Sequence, residues 1–241
     1  MKRLMTITAL LAITLLGTSL LHAAESQTAS VELAADTIEY DSGKGVMTAT
    51  GGVKLTRDGA VMTGSKAEYN SKSQEAWVTG GVKVVKEDAT LTSAEVRSYN
   101  NNHLVATGDA VLVKGDSTVT GPQIEYFSDK EYALVPGPAT LTRPDGVMNA
   151  DKIEAFLQDD RAVGSGNVHL VSDTHKLDAV ADLATYYGAK NKEQQGKVIL
   201  SGNARAVQDG NVLTGNNLIL YLDDRSMQAS GGRSTLVVKP Q

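Results

Sequence analysis

Four histidines and the acidic pairs Asp159-Asp160 and Asp223-Asp224 are residues of this 241-residue chain from which a metal site or an acid–base pair could be assembled. A zinc-type site needs several His, Cys or carboxylate ligands at short, regular spacings. The chain has no Cys, and His22, His103, His169 and His175 stand apart, none with a ligand-spaced partner. His103 and His175 fall in segments read as turns, and His169 on the outward side of a strand. Hydrolysis by paired carboxylates needs two acids held at a fixed separation across a cleft. Asp159-Asp160 and Asp223-Asp224 sit in polar turns, where solvated charge accounts for them. The glycines follow strands and do not open a helix, so no phosphate-cradling loop is indicated. These residues point to a chain that is not an enzyme, and they call for no metal and no cofactor.

The spacing that does repeat is apolar. A glycine recurs at Gly51, Gly80, Gly108, Gly137, Gly166, Gly202 and Gly231, in steps of 29, 28, 29, 29, 36 and 29 residues. An internal period of this size marks a repeat architecture. Two residues after each of the first six stand Val53, Val82, Ala110, Ala139, Val168 and Ala204. Four after them stand Leu55, Val84, Leu112, Leu141, Leu170 and Ala206, with Lys54, Lys83, Thr140, His169 and Arg205 among the residues between. A period of two is that of a strand with one buried face. The one long step is read as seven extra residues in a loop at 188–196. The seventh copy puts Arg233 and Thr235 on the inward parity and recovers it at Leu236 and Val238.

Turn chemistry follows each strand at a fixed offset: Arg57-Asp58-Gly59, Lys86-Glu87-Asp88, Lys114-Gly115-Asp116 and Arg143-Pro144-Asp145-Gly146. Asp-Gly and Pro-Asp-Gly favour tight hairpins, because Gly accepts positive φ and Pro presets the first corner. A second strand then carries an apolar residue (Leu33, Met62, Leu91, Val119, Met148, Leu177, Leu213), and two residues later a small one (Ala35, Gly64, Ser93, Gly121, Ala150, Ala179, Gly215). Three further on come Ile38, Ala67, Val96, Ile124, Ile153 and Leu218, with Asp182 as the exception. A step of three where the period is two marks a bulge or bend in mid-strand, and a small residue beside it lets two arms approach closely. The pattern is therefore all-β: about 14 strands in up-and-down order, each folded across its middle. They form two facing antiparallel sheets that share a crease. At about 4.8 Å per strand the stack would be a rod on the order of 65 Å long with both ends open.

The N-terminus reads as an export signal over residues 1–24, leaving a domain at 25–241 with seven repeats of about 29 residues. Met1-Lys2-Arg3 is its basic end, residues 4–21 its apolar run, and Ala23-Ala24 its small-residue cleavage site. An uncleaved anchor is the alternative, since about 18 apolar residues suffice to span a bilayer. Without residues 1–24 the charge is 21 basic minus 28 acidic, or −7, and an acidic chain with scattered Lys and Arg gives no case for nucleic acid, which needs a basic stripe.

Ala35-Asp36-Thr37-Ile38-Glu39-Tyr40-Asp41, echoed by Gly121-Pro122-Gln123-Ile124-Glu125-Tyr126, resembles the Ala-Asp-x-Ile-x-Tyr-Asp motif of the OstA-like domain. Gly51-Gly52-Val53-Lys54-Leu55 and Gly80-Gly81-Val82-Lys83-Val84 resemble its Gly-x-Val-x-Val companion. This is the family of LptA-type periplasmic lipopolysaccharide-transport proteins. The resemblance runs from about Val31 to Val238. It implies a folded-strand β-jellyroll in the periplasm, whose groove carries the lipid A acyl chains of lipopolysaccharide. It also implies head-to-tail homo-oligomers that join inner- and outer-membrane transport components of related fold. Under it, the inward residues Ile38, Val53, Leu55, Met62, Val82, Val84, Leu112, Ile124, Leu141, Ile153 and Leu170 become candidate lipid contacts. From the pattern by itself, the same residues serve equally as the core of any two-layer β-protein. A structural or adhesive exported β-solenoid with a dry core is the alternative. It would favour regular outward ladders of one residue type, and the sequence shows none.

Overall fold

Alternating apolar residues give twelve long strands, each broken at one point, with a glycine at the break in every second one. The computed structural model describes residues 31–57, 59–99, 102–188 and 196–239. The first strands are β1 (Glu32–Ala34), β2 (Thr37–Asp41), β3 (Val46–Arg57), β4 (Ala60–Asn70), β5 (Glu75–Lys86) and β6 (Ala89–Tyr99). Next come β7 (His103–Lys114), β8 (Ser117–Phe127), β9 (Tyr132–Arg143), β10 (Gly146–Phe156) and β11 (Arg161–Ser172). The last are β12 (Leu177–Tyr187), β13 (Lys197–Gln208), β14 (Asn211–Tyr221), β15 (Met227–Ser230) and β16 (Thr235–Val237). Each long strand pairs antiparallel with its sequence neighbours, in one open sheet. The fourteen expected strands become sixteen because the outermost two are each divided at the bend. β1 and β2 both pair with β3, and β15 and β16 both pair with β14.

The bend has a simple cause. On β7, Thr107 pairs with Gln123 and Ala110 with Gly121, so Gly108 and Asp109 oppose the single residue Pro122. Two residues against one is a bulge, which turns the strand and re-aims the side chains beyond it. The extra residue always lies in the odd-numbered strand, and this is why β3 to β13 have 12 residues where β4 to β14 have 11. Gly108 takes φ +83°, and a Cβ there would lie 2.5 Å from the Cβ of Ala94 on β6. Both the conformation and the space require glycine. Elsewhere along the crease a side chain ties the bulge down: the Asn167 amide donates to Asp151 and the Asn203 amide to Asp182, each at 2.8 Å.

Asp182 therefore occupies the same bend position as Asp151, and it is no exception to the inward pattern. The seven extra residues do not all lie in one loop. Four residues connect β11 to β12 where two connect β9 to β10, and nine separate β12 from β13 where four separate β10 from β11. The difference is two plus five. Shifting the sixth copy by two makes Ala181 its small crease residue and Ala184 its inward residue, and Ala184 is fully buried. His103, read as a turn residue, is the first residue of β7.

The two arms face one another over one main core, with a small second cluster of Tyr126, Ala133 and Leu157. Across it, a Cβ on Gly164 would lie 3.0 Å from Met148 Sδ, 3.3 Å from Ala150 Cβ and 3.6 Å from Val168 Cγ2. Small residues at the crease make room for bulk from the next strand: a Cβ on Gly121 would overlap Val135 Cγ1. Full burial of residues such as Ile124 and Leu218 stabilises by about 1.5–3 kcal/mol each. On the outer surface a mixed ladder of rings joins neighbouring strands. Tyr99, His103, Phe127, Tyr132 and Phe156 follow one another at centroid distances of 4.2–5.8 Å. Arg161 extends the ladder, lying 3.6 Å from the centroid of Phe156. Pairing of this kind adds about 0.2–1 kcal/mol per contact.

The crease model has a direct test in two substitutions two residues apart. Ala150 is 7% exposed, so Ala150→Leu should overpack the crease and lower stability by about 1–3 kcal/mol. Lys152 is an outward residue whose ion pair with Glu154 is 2.7 Å long and partly solvated. Lys152→Leu should cost about 1 kcal/mol or less. Urea unfolding followed by far-ultraviolet circular dichroism reads both, and a larger loss at Lys152 would misplace the crease.

Candidate functional site

Beyond the crease the two arms diverge, and side chains too small to meet across the gap leave apolar space between them. Leu112, Val119 and Leu141 supply one wall, from the ends of β7 and β9 and the start of β8. Ile124, Val135, Ile153, Ala133, Ala155 and Ala162 supply the other, from the opposite arms of β8 to β11. The space is partly open to solvent. A second space, toward β5, shares Leu112, Ile124 and Ala133 with the first and adds Val84, Leu91 and Leu104. A third, toward β14, shares Leu141 and adds Leu170, Met148, Val198 and Leu222. Together they form a run of apolar cavities from β5 toward β14.

The expected inward residues divide into three groups. Val84, Leu112, Ile124, Leu141, Ile153 and Leu170 line these cavities. Val53 and Val82 are buried at 1% and 2% exposure and work as core, while Met62 packs on the core and Leu55 pairs with it, both partly buried. Ile38 has the inward parity but lies 46% exposed on β2, because no further strand covers it. Over β12 to β14 the interior is filled: Leu177, Leu200, Leu218 and Leu220 are fully buried.

Three residues read as turn chemistry belong to the groove instead. Lys86, Lys114 and Arg143 are the last residues of β5, β7 and β9, on the same parity as Val84, Leu112 and Leu141, and all three line the cavities. Their position six residues after the repeat glycine was the available signal. Each pairs across its hairpin with a small residue, Ala89, Ser117 or Gly146, which leaves room for the long stem. At the matching ends of β11 and β13 stand Ser172 and Gln208, both buried. Ser172 Oγ donates to the Asp145 carbonyl, and Gln208 Nε2 donates to the His175 carbonyl at 3.3 Å.

Arg143 crosses the groove. Its guanidinium lies 5.2 Å from the ring centroid of Tyr186 on β12, and both residues line the first and third cavities. Arg143 Nε is buried without a hydrogen bond and 3.6 Å from Asp145 Oδ1. Burial pushes the Tyr186 hydroxyl above its ordinary pKa, with Arg143 opposing the shift. On the outer face Tyr132 is likewise raised, first by burial and then by its 2.7 Å hydrogen bond to Glu154. Glu154 is held below the usual carboxylate range by Lys152 and then by Tyr132. Among the described residues no group of three or more His, Asp or Glu is arranged to hold a metal ion. Such a groove offers apolar walls and a basic edge.

Residues 63–161 match the family model described as LptA/(LptD N-terminal domain) LPS transport protein. Over this stretch the chain is similar to that family. The matched segment runs from within β4 to the first residue of β11, and it contains nearly all the residues that line the first cavity. The strand unit continues on both sides of it in the same sheet. No curated protein sequence matches the chain significantly. Among solved structures, the chain is similar to the crystal structure of LptH, described as the LptA homologous periplasmic component of the conserved lipopolysaccharide transport device from Pseudomonas aeruginosa. The two are 13% identical over 88% of this chain and 96% of that one, with a TM-score of 0.19.

The wall of the groove is apolar enough to resist a charge. Leu112 is 7% exposed, so Leu112→Asp should lower unfolding stability by several kcal/mol, or force the carboxyl to stay protonated well above its usual range. Lys83→Asp, outward on β5, should change stability by about 0.5 kcal/mol or less. Denaturant midpoints at neutral and acidic pH separate the two, since protonation should restore part of the loss at Leu112 alone.

Proposed function

We propose that this chain is a periplasmic carrier that shelters the acyl chains of lipopolysaccharide in its groove during transfer from the inner to the outer membrane. The observation that carries the reading is the run of apolar cavities between the arms, centred on the LptA-type segment. A buried methylene is worth about 0.8 kcal/mol, so an acyl chain of a dozen carbons exposes roughly 10 kcal/mol of unfavourable surface to water. Walls of Leu, Val, Ile and Ala accept such a chain without directional contacts. The role is passive, with no bond made or broken. The export signal at residues 1–24, which lies outside the described residues, supports a periplasmic location, and the domain at 25–241 would be the mature carrier. A photo-crosslinking amino acid at Val84 or Leu112 should capture lipopolysaccharide in cells, and one at Lys83 should not. Equal labelling at all three positions would overturn the assignment of faces.

The open ends supply the means of assembly. Unpaired strand edges invite pairing with another chain. At one end β2 is exposed throughout, with Tyr40 at 62%, and at the other Leu236, Val237 and Val238 are 58–63% exposed. Strand addition at these edges would join copies head to tail and join the chain to inner- and outer-membrane components of related fold. Deleting residues 234–241 should abolish concentration-dependent association in light scattering and weaken capture of envelope partners. Unchanged association with both would exclude this edge as the junction.

A further inference from the structure

The carrier reading above explains the apolar walls but not why cations stand inside them. Lys86, Lys114 and Arg143 share one parity and one arm of the fold, and recur at every second strand. Neighbours are therefore about 10 Å apart along the groove. All three border apolar cavities whose walls otherwise carry few polar side chains. Two features set them apart from ordinary solvated lysines and arginines. All three line a cavity and are half-buried, so their charges keep only part of their hydration. Arg143 also keeps a buried Nε without a hydrogen bond, although Asp145 stands 3.6 Å away. Lys114 makes no ion pair among the described residues. The acids nearby, Glu87, Asp88, Asp116 and Asp145, lie in the hairpin turns beyond the strand ends. The cations stop at β9, and the matching positions on β11 and β13 are the neutral, buried Ser172 and Gln208.

We infer that Lys86, Lys114 and Arg143 form a basic lip that binds the phosphate-bearing headgroup of an amphiphile whose acyl chains lie in the apolar groove. The inference rests on the carrier reading and adds a polarity to it: the headgroup sits at the hairpin-turn mouth of β5 to β9, and the chains point toward the crease. A guanidinium and ammoniums match phosphate oxygens through short charge-assisted hydrogen bonds, and a partly desolvated setting strengthens them. The regular spacing of about 10 Å would let a headgroup pass from one cation to the next as the lipid advances by one hairpin.

The test measures binding of diphosphoryl lipid A and of its phosphate-free form to three proteins. These are the intact chain, the double variant Lys114→Gln/Arg143→Gln, and the control Lys54→Gln/Lys83→Gln, which removes the same charge from the outward face. The single variant Lys114→Gln leaves the Arg143–Tyr186 contact intact and serves if the double variant folds poorly. The lip variants should lose about tenfold or more in affinity for the phosphorylated lipid, with a weaker salt dependence, and little for the phosphate-free form. The control should behave as the intact chain. Equal losses for both lipids, or equal losses in lip and control variants, would overturn the lip while leaving the groove in place. Displacement of the lipid by millimolar inorganic phosphate would make the lip a free-phosphate site and overturn the headgroup assignment. Failure of the intact chain to bind either lipid would remove the carrier reading itself.

Discussion

A bulge of two residues against one, placed at the same level in each successive strand pair, is the constraint on which the rest of this molecule depends. A single bulge bends a strand; a column of them bends a sheet. Because each bulge opposes one residue of the neighbouring strand, the creases line up and the two arms of every strand face their own continuation. The hydrophobic effect then closes the fold, since inward residues on both arms lose solvent only by meeting across the crease. Glycine at the bulge and small residues beside it are required by space: at Gly108 a Cβ would collide with Ala94, and at Gly121 with Val135.

The same geometry explains why the interior is not uniform. Near the crease the arms are close, and Val, Ala and Gly fill the space. Farther out the gap widens, and whether it fills depends on the side chains available. Over β12 to β14, Leu177, Leu200, Leu218 and Leu220 are large enough to meet. Around β8 to β11, Ala133, Ala155 and Ala162 are not, and the cavities open there. Core and groove are therefore two outcomes of one pattern. A cation at the end of an inward column is tolerated where it stays partly solvated, and Lys86, Lys114 and Arg143 are half-buried rather than buried. The matching buried position on β11 takes a neutral residue with a backbone partner, Ser172.

An open sheet also leaves its ends unsatisfied. The first and last strands are each cut in two at the bend, so neither presents one long flat edge, yet Tyr40, Leu236 and Val238 remain exposed there. Apolar residues on unpaired edges are what strand addition uses, and a partner of the same repeat would bring its own crease into line.

Much of this was legible in the sequence, because a period of 29 residues repeats every constraint several times over. The strand alternation, the glycine of the bulge, the small residue beside it and the parity of Val84, Leu112, Ile124, Leu141, Ile153 and Leu170 follow from spacing alone. What spacing could not decide was anything that depends on counting residues within a connection. Two extra residues in the β11–β12 turn shifted the sixth copy, so that Asp182 looked inward when Ala184 is the inward residue. Nor could parity tell a filled column from an empty one: Val82 and Leu112 share it, but burial depends on what stands opposite, and only the folded arms bring Ala133 or Tyr186 there. Lys86, Lys114 and Arg143 passed for turn residues because a hairpin of two residues and one of four look alike in sequence. Their place at the lip was decided by where the strand ends, and tertiary pairing sets that end.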